Sequence, residues 1–169
     1  PHDSTPPSAV VVTPAAAGDG VIDTHTITTA VNGAHSVATA DVDGDGDMDV
    51  LSASAGDDTI AWYENDGSET FTALTITTDA AGANSVTTAD VDGDGDMDVL
   101  SSSWRDDKIA WYENDGSENF TAHTITTDAD FALSVTTADV DGDGDMDVLS
   151  ASRDDDKIAW YENDGSGTF

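Results

Sequence analysis

One unit of sequence is written three times along the 169-residue chain, and this repetition constrains the fold more than any other feature. Asp41, Asp90 and Asp139 are each separated by 49 residues, and the tryptophan and phenylalanine positions follow the same spacing. The repeats occupy residues 23–71, 72–120 and 121–169. A period of about 50 residues without a helical pattern is typical of a four-stranded propeller blade.

Each repeat contains four short segments with the composition and alternation of β-strands. In the third repeat they read "HTITT", "SVTTADV", "DVLSAS" and "KIAWYEN", and the "NDGS" that follows predicts a hairpin turn. Three blades cannot close a ring, because rings need at least about four. The sequence therefore predicts an all-β protein, a β-propeller-type array of three four-stranded antiparallel blades that is open as a single chain.

Residues 1–22 fall outside the repeat and hold all four prolines of the chain. A Pro/Ala-rich composition is typical of a linker. The apolar stretch "AVVVT" within it also suits an arm that adds to an exposed sheet edge. We therefore expect an N-terminal arm or linker here, with both interpretations open.

The charge balance of the chain is strongly acidic, with 36 Asp and Glu against 4 Lys and Arg and a formal net charge of −32. All but five of the acids are Asp, which indicates short carboxylates placed in turns and ion sites. Nucleic acid and anionic membranes both need basic patches, so neither is an expected partner. No apolar run approaches the length of a membrane span, so we expect no membrane insertion.

The acidic segment of each repeat reads D-x-D-x-D-G-D-x-D. In the first copy Asp41, Asp43 and Asp45 stand at positions one, three and five, Gly46 at six and Asp49 at nine. Alternating oxygens followed by a glycine that turns the chain sharply wrap a hard cation, with the carbonyl of position seven as a further ligand. Ca²⁺ accepts six to eight oxygens, whereas Zn²⁺ prefers nitrogen and sulfur. An acidic Asp-Gly turn that binds no ion is the alternative.

The stretch "SVTTADVDGDGDMDVLS" followed by "KIAWYENDGS" resembles the FG-GAP or VCBS repeats of integrin α-subunit propellers and of many secreted bacterial proteins. The resemblance covers residues 23–169 and implies one Ca²⁺ site per repeat, three in all, in the loop between the first and second strands. The ligands that it implies, with position seven acting through its carbonyl, are Asp41, Asp43, Asp45, Asp47, Asp49, Asp90, Asp92, Asp94, Asp96, Asp98, Asp139, Asp141, Asp143, Asp145 and Asp147.

The number of blades departs from the family pattern, because similar proteins carry about seven. The first "HTITT" resembles a last strand without a blade, and the final repeat stops before a matching strand. A head-to-tail copy of the chain could fill that gap, and such contacts close into rings or continue as filaments. A segment cut from a longer propeller chain is the other explanation, and both stay open here.

Differences between the repeats gather in segments that we expect at the end opposite the calcium loops. They include Trp104, Arg105, Phe131, Leu133 and Arg153. This pattern suits a recognition face for a glycan or a protein, and it also suits drift in surface loops. We interpret the tryptophans of the "KIAWYEN" segments as core residues between blades.

The sequence contains no nucleophile elbow, no paired glutamates and no phosphate loop, so we expect no catalytic site. His25, His35 and His123 have no nucleophile or regular carboxylate beside them in sequence. Extracellular modules bind calcium at about 10⁻⁴–10⁻³ M, which favours a secreted or cell-surface protein. We predict a structural, self-assembling calcium-binding protein, with adhesin- or lectin-like recognition, or part of a larger FG-GAP surface protein, as the alternatives.

Overall fold

The computed structural model describes residues 23–169, and the regular structure of this range is eleven β-strands in three antiparallel sheets. The first sheet contains β1 (Ala34–Ala40), β2 (Asp49–Ser54), β3 (Thr59–Asn65) and β4 (Phe71–Thr77). The second contains β5 (Ala83–Ala89), β6 (Asp98–Ser103), β7 (Lys108–Asn114) and β8 (Phe120–Thr126). The third contains β9 (Ala132–Ala138), β10 (Asp147–Ser152) and β11 (Lys157–Tyr161).

The predicted all-β, open array of antiparallel blades is confirmed, with four, four and three strands in the sheets. The predicted arm or linker at residues 1–22 lies outside the described residues. Within the described part of the chain, no helix has the length and apolar character that crossing a bilayer requires.

Each complete sheet takes its fourth strand from the beginning of the next sequence repeat. β4 and β8 pair with the strand before them in the same register, with Leu74 opposite Trp62 and His123 opposite Trp111. In the third sheet only three strands fall within residues 23–169, so the outer edge of β11 has no strand partner there. The sheets therefore follow the repeat but are shifted along the chain relative to it.

The first copy of the predicted strand "HTITT" is not a strand in the structure. Residues 24–28 form an irregular segment, whereas their equivalents belong to β4 and β8. A strand needs a neighbouring edge for its backbone hydrogen bonds. The described residues provide no sheet before β1 for this segment to join, so the same pattern is strand in two repeats and irregular in the first.

The three sheets stack side by side, with their first strands β1, β5 and β9 next to one another. Apolar clusters fill the two spaces between them. The first cluster joins Leu51, Ile60 and Trp62 of the first sheet to Val86 of the second, and the other cluster repeats this arrangement between the second and third sheets. The predicted burial of tryptophan between blades is confirmed for Trp62 and Trp111, which are 0% and 3% exposed.

The two outer faces of the stack expose the residue types that are buried inside it. On β11, Ile158 and Trp160 are 79% and 45% exposed, although their equivalents in β7 are buried. On β1, Val37 is 70% exposed, although its equivalents Val86 and Val135 are buried. The two outer faces of the stack therefore carry the same apolar residues that are buried where one sheet packs on the next.

Candidate metal centre

The three aspartate-rich loops connect the first and second strands of their sheets. In the first loop the backbone folds around its own carboxylates. The N–H of Asp45 donates to Asp43 Oδ1 at 3.1 Å, and the N–H of Gly46 donates to Asp41 Oδ2 at 3.0 Å. The N–H of Asp47 donates to Asp45 Oδ1 at 2.8 Å. Aspartate suits this arrangement because its short side chain can reach a backbone N–H two residues further along.

The glycine at position six is required by its backbone conformation. Gly46 has a φ of +98°, and the equivalent Gly95 and Gly144 have φ values of +99° and +104°. A β-carbon at any of these positions would meet no atom within 4 Å, so lack of space is not the reason for glycine. A residue with a side chain is strained at such a φ. The sharp turn predicted at position six is therefore present in all three loops.

The loops bring carboxylates close together. The groups whose oxygens lie within 4.8 Å of one another are Asp41, Asp43 and Asp45; Asp90, Asp92 and Asp94; and Asp139, Asp141 and Asp147. The first two groups unite positions one, three and five, and the third unites positions one, three and nine. All donors are oxygens, which is the ligand type that Ca²⁺ prefers.

The aspartate at position nine fastens each loop to the end of the third strand of its sheet or, in the third sheet, to the segment just after β11. Asp49 is fully buried; its Oδ2 accepts from the N–H of Val42 at 3.0 Å, and its Oδ1 accepts from the N–H of Asn65 at 2.8 Å. Asp98 and Asp147 accept the same two hydrogen bonds. Each oxygen keeps a second lone pair, so a metal-ligand role for position nine stays a prediction alongside this structural one.

At position seven the side chain lies against the turn that follows the third strand. A β-carbon on Gly67 would collide with Asp47 Oδ2, and the Gly116–Asp96 and Gly165–Asp145 pairs repeat this contact. The carboxylate thus lies close to this turn, and it is not part of the cluster of positions one, three and five. The interpretation that position seven contributes its carbonyl stays a prediction.

The first loop fits a divalent cation on two observations. Asp41 Oδ1 is buried and accepts no hydrogen bond from the described residues, which is unfavourable for a carboxylate oxygen. Desolvation raises the pKa of Asp43, and the carboxylates of Asp45, Asp49 and Asp41 raise it further, against one backbone hydrogen bond that lowers it. A cation among these oxygens relieves both the missing partner and the repulsion.

Equivalent carboxylates of the second and third loops differ in their electrostatics. Desolvation raises the pKa of Asp98 to about 6, despite the backbone hydrogen bonds that it accepts. At Asp147 the hydrogen bond from the N–H of Asn163 outweighs desolvation and lowers the pKa. Both aspartates are buried, but their neighbours differ: Val91 beside Asp98 is buried, whereas Val140 beside Asp147 is 45% exposed, which is consistent with weaker desolvation of Asp147.

Sequence reasoning missed the asparagines that connect one loop to the next. Asn114 Nδ2 donates to the carbonyl of Val42 in the first loop at 2.9 Å and to that of Met97 in its own loop at 3.1 Å. Asn163 joins the second and third loops in the same way. Asn65 reaches only the loop of its own sheet among the described residues. The only sequence signal for these contacts is an Asn before Asp-Gly in every repeat, and by itself that pattern indicates a turn.

The opposite end of the sheets carries the variable segments, as predicted. The rings of Trp104 and Phe131 are 4.7 Å apart. The guanidinium of Arg105 lies 4.7 Å from the centre of the Trp104 ring, and that of Arg153 lies 3.5 Å from the centre of the Phe131 ring. All four basic residues of the chain are at this end, namely Arg105, Lys108, Arg153 and Lys157.

Comparison with solved structures finds related folds. A lectin from Agrocybe aegerita, described as recognising non-reducing terminal N-acetylglucosamine, is similar with a TM-score of 0.55 and 22% identity over 79% of this chain. Virginiamycin B lyase from Staphylococcus aureus gives a TM-score of 0.49 and 18% identity over 80% of this chain. This chain spans 36% of the lectin and 43% of the lyase. The likeness to the lectin concerns the fold alone.

A comparison with curated proteins finds no match. The sequence profile described as FG-GAP-like repeat matches residues 41–101, 98–150 and 139–169. Each match includes at least one complete aspartate-rich loop, and together they extend from Asp41 to the last residue. The resemblance stated from the residues is therefore confirmed, and the chain belongs to the FG-GAP-like repeat family.

Proposed function

We propose that this chain is a non-catalytic, calcium-stabilised propeller-repeat subunit that acts outside the cell or at its surface and associates head to tail with copies of itself. The observation that carries the proposal is the pair of exposed outer faces. The face of the third sheet presents Ile158 and Trp160, the equivalents of side chains that the first two sheets bury against their neighbours. The face of the first sheet presents Val37, the equivalent of the valines that receive them.

Calcium supports this assembly in two ways. It occupies loops that otherwise hold several carboxylates close together, so its binding free energy adds to the stability of the fold. It also lowers the negative charge that would keep two copies of a chain of net charge −32 apart. Affinities of about 10⁻⁴–10⁻³ M, typical of extracellular modules, fit calcium levels outside the cell.

The calcium part is tested with Asp94→Ala, which removes one carboxylate of the second loop. We expect a lower melting temperature in millimolar calcium and a much smaller change in chelator, measured by circular dichroism. Asp79→Ala is the matched control, since it removes the same charge from a fully exposed side chain outside the loops. Equal shifts of Asp94→Ala with and without calcium would contradict the assignment.

The association part is tested with Ile158→Asp, which places a charge on the exposed face of β11 with little effect on folding. Light scattering in calcium should detect oligomers of the unmodified chain and of the control Ala122→Asp, which alters an exposed residue on β8. Ile158→Asp should remain monomeric. Monomers of the unmodified chain, with calcium and without it, would refute head-to-tail association.

Recognition of a glycan or a protein is a second candidate function, and the cluster of Trp104, Phe131, Arg105 and Arg153 favours it. Neighbouring aromatic rings, tilted by 31° and close to guanidinium groups, suit a ligand with a flat apolar face and acceptor oxygens. A glycan array that binds the chain, but not Trp104→Ala, would support this function. A blank array would count against glycan recognition.

A further inference from the structure

We infer that residues 24–28 of one copy form the fourth strand of the third sheet of a second copy. The inference rests on the proposed head-to-tail association and specifies the segment, the edge and the register through which it occurs. Within residues 23–169 three observations carry it: an edge without a strand partner, a segment that joins no sheet, and a cavity whose lining matches that of the internal contacts.

The edge is the outer side of β11. In the first two sheets the equivalent edge is covered by β4 and β8 along its length, whereas β11 pairs only with β10 among the described residues. An extended edge with free N–H and C=O groups is a template for another strand. Its side chains Ile158 and Trp160 are apolar and exposed, so a covering strand would also bury apolar surface.

The segment has the sequence and the local geometry of the missing strand. Residues 24–28 read THTIT, where β4 has ALTIT at the equivalent positions and β8 has AHTIT. Thr28 Oγ1 accepts from the N–H of Ala30 at 3.0 Å. The equivalent hydrogen bonds follow β4 and β8, from Asp79 to Thr77 at 3.0 Å and from Asp128 to Thr126 at 3.1 Å. The turn that follows the strand in β4 and β8 is therefore already formed after residues 24–28, although this segment joins no sheet in the described part of the chain.

The cavity lies between this segment and the first sheet. Its lining includes Ile27, Val37, Val50 and Tyr63. At the contact between the second and third sheets, the residues equivalent to these four pack around Leu100, Ile109 and Trp111 of the second sheet; they are Ile125, Val135, Val148 and Tyr161. The side chains that would fill the cavity in the same way are Leu149, Ile158 and Trp160 of a second copy, the last two of which are exposed.

The register follows from the internal pairs. Trp111 lies opposite His123 and Ala110 opposite Thr124, so Trp160 of one copy lies opposite His25 of the other and Ala159 opposite Thr26. Within the chain, the ring of His123 stacks on Trp111 with centroids 4.5 Å apart and its Nε2 lies 2.8 Å from Glu113 Oε2. In the assembly, His25 takes that position against Trp160 and Glu162.

Disulfide trapping tests the register directly, because the chain contains no cysteine of its own. One preparation carries Thr26→Cys and the other Ala159→Cys, and the two are mixed in calcium and oxidised. Residues directly opposite each other in antiparallel strands are close enough for a disulfide. We expect a covalent heterodimer in several-fold higher yield than in the control mixture of Ile27→Cys with Ala159→Cys, because neighbouring strand residues face opposite sides.

A second variant separates the failure of this inference from the failure of the proposed function. Thr26→Pro prevents the segment from pairing as a strand and should abolish oligomers in light scattering while leaving the melting temperature of the monomer in calcium nearly unchanged. If the unmodified chain is monomeric in calcium, the proposed association itself is wrong. If oligomers form, but Thr26→Pro assembles normally or the in-register disulfide does not exceed its control, strand donation is wrong and the association stands.

Discussion

The second and third sheets contain the same five residues, KIAWY, in β7 and β11, yet the two strands have different environments. In β7 the isoleucine and tryptophan are buried between a following sheet and a fourth strand. In β11 the same residues are largely exposed, since neither neighbour exists among the described residues. The comparison teaches that burial in this fold is set by the adjacent repeat and not by the sequence of the strand itself.

Substituting the two tryptophans tests this comparison with the largest expected effect. Trp111→Ala removes a buried ring and should lower the free energy of unfolding by about 3–5 kcal/mol, as for other large-to-small core changes. Trp160→Ala should have roughly half that effect or less in dilute protein, because the ring is partly in solvent already. Urea unfolding in calcium measures both. Equal losses would mean that β11 is as well covered as β7.

A second test compares Asn114, whose side chain joins two neighbouring loops, with Asn65, whose side chain reaches only the loop of its own sheet among the described residues. Asn114→Ala leaves the buried carbonyl of Val42 without its donor, which typically costs about 1–3 kcal/mol. Asn65→Ala is the matched control and should cost about 0.5 kcal/mol or less, because its side chain reaches one loop only and is less buried. Thermal unfolding in calcium compares the two, and a control that is as damaging as Asn114→Ala would exclude a specific role for the bridge.

The smallest expected effect is the pH dependence of stability, measured in the presence of chelator. The pKa of Asp98 is raised to about 6, so its protonated form favours the folded chain and this contribution is lost as the pH rises through about 6. The pKa of Asp147 is lowered, so its contribution is present above the ordinary Asp pKa and is lost as the pH falls through the lowered value.

The urea midpoint of the unmodified chain should therefore fall as the pH rises through about 6 to neutral. The midpoint of Asp98→Asn should change less over the same pH interval. The Asp147→Asn variant should instead lose the stabilisation that the unmodified chain keeps at neutral pH. A wild-type midpoint that stays constant through pH 6 would show that the desolvation of Asp98 is offset by other groups.

Much of the fold could be predicted from the sequence because its determinants are local. The alternation in "KIAWYEN" and the Asp-Gly turns predicted strands and hairpins, and the spacing of Asp41, Asp43 and Asp45 predicted the loop with its turn at Gly46. The period of 49 residues predicted the identical sheets. The strand, turn and loop signals each lie within a few residues along the chain, where short-range geometry decides the outcome, and the period shows that they recur.

The features that could not be predicted from the sequence depend on contacts between repeats. The bond from Asn114 to Val42 joins residues 72 positions apart, and no spacing within one repeat indicates it. Asp49 is expected to be a metal ligand, and this stays a prediction; its spacing gave no sign that its two oxygens also accept backbone hydrogen bonds from the loop and from β3. The first "HTITT" carried a correct strand pattern, but whether a strand forms depends on the edge that is available to it.

The separation of charge along the sheets has a consequence for how the molecule presents itself. The aspartate loops lie at one end, and all four basic side chains lie at the other, where they offset part of the charge of the aspartates found there. Negative charge is therefore concentrated at the loops, and the protein has an electric dipole along its strands. Near a positively charged or calcium-coated solid, such as a mineral, this dipole turns the loops towards the solid. The rings of Trp104 and Phe131 are then directed towards the surrounding liquid, so adsorption would orient every molecule of a layer in the same sense.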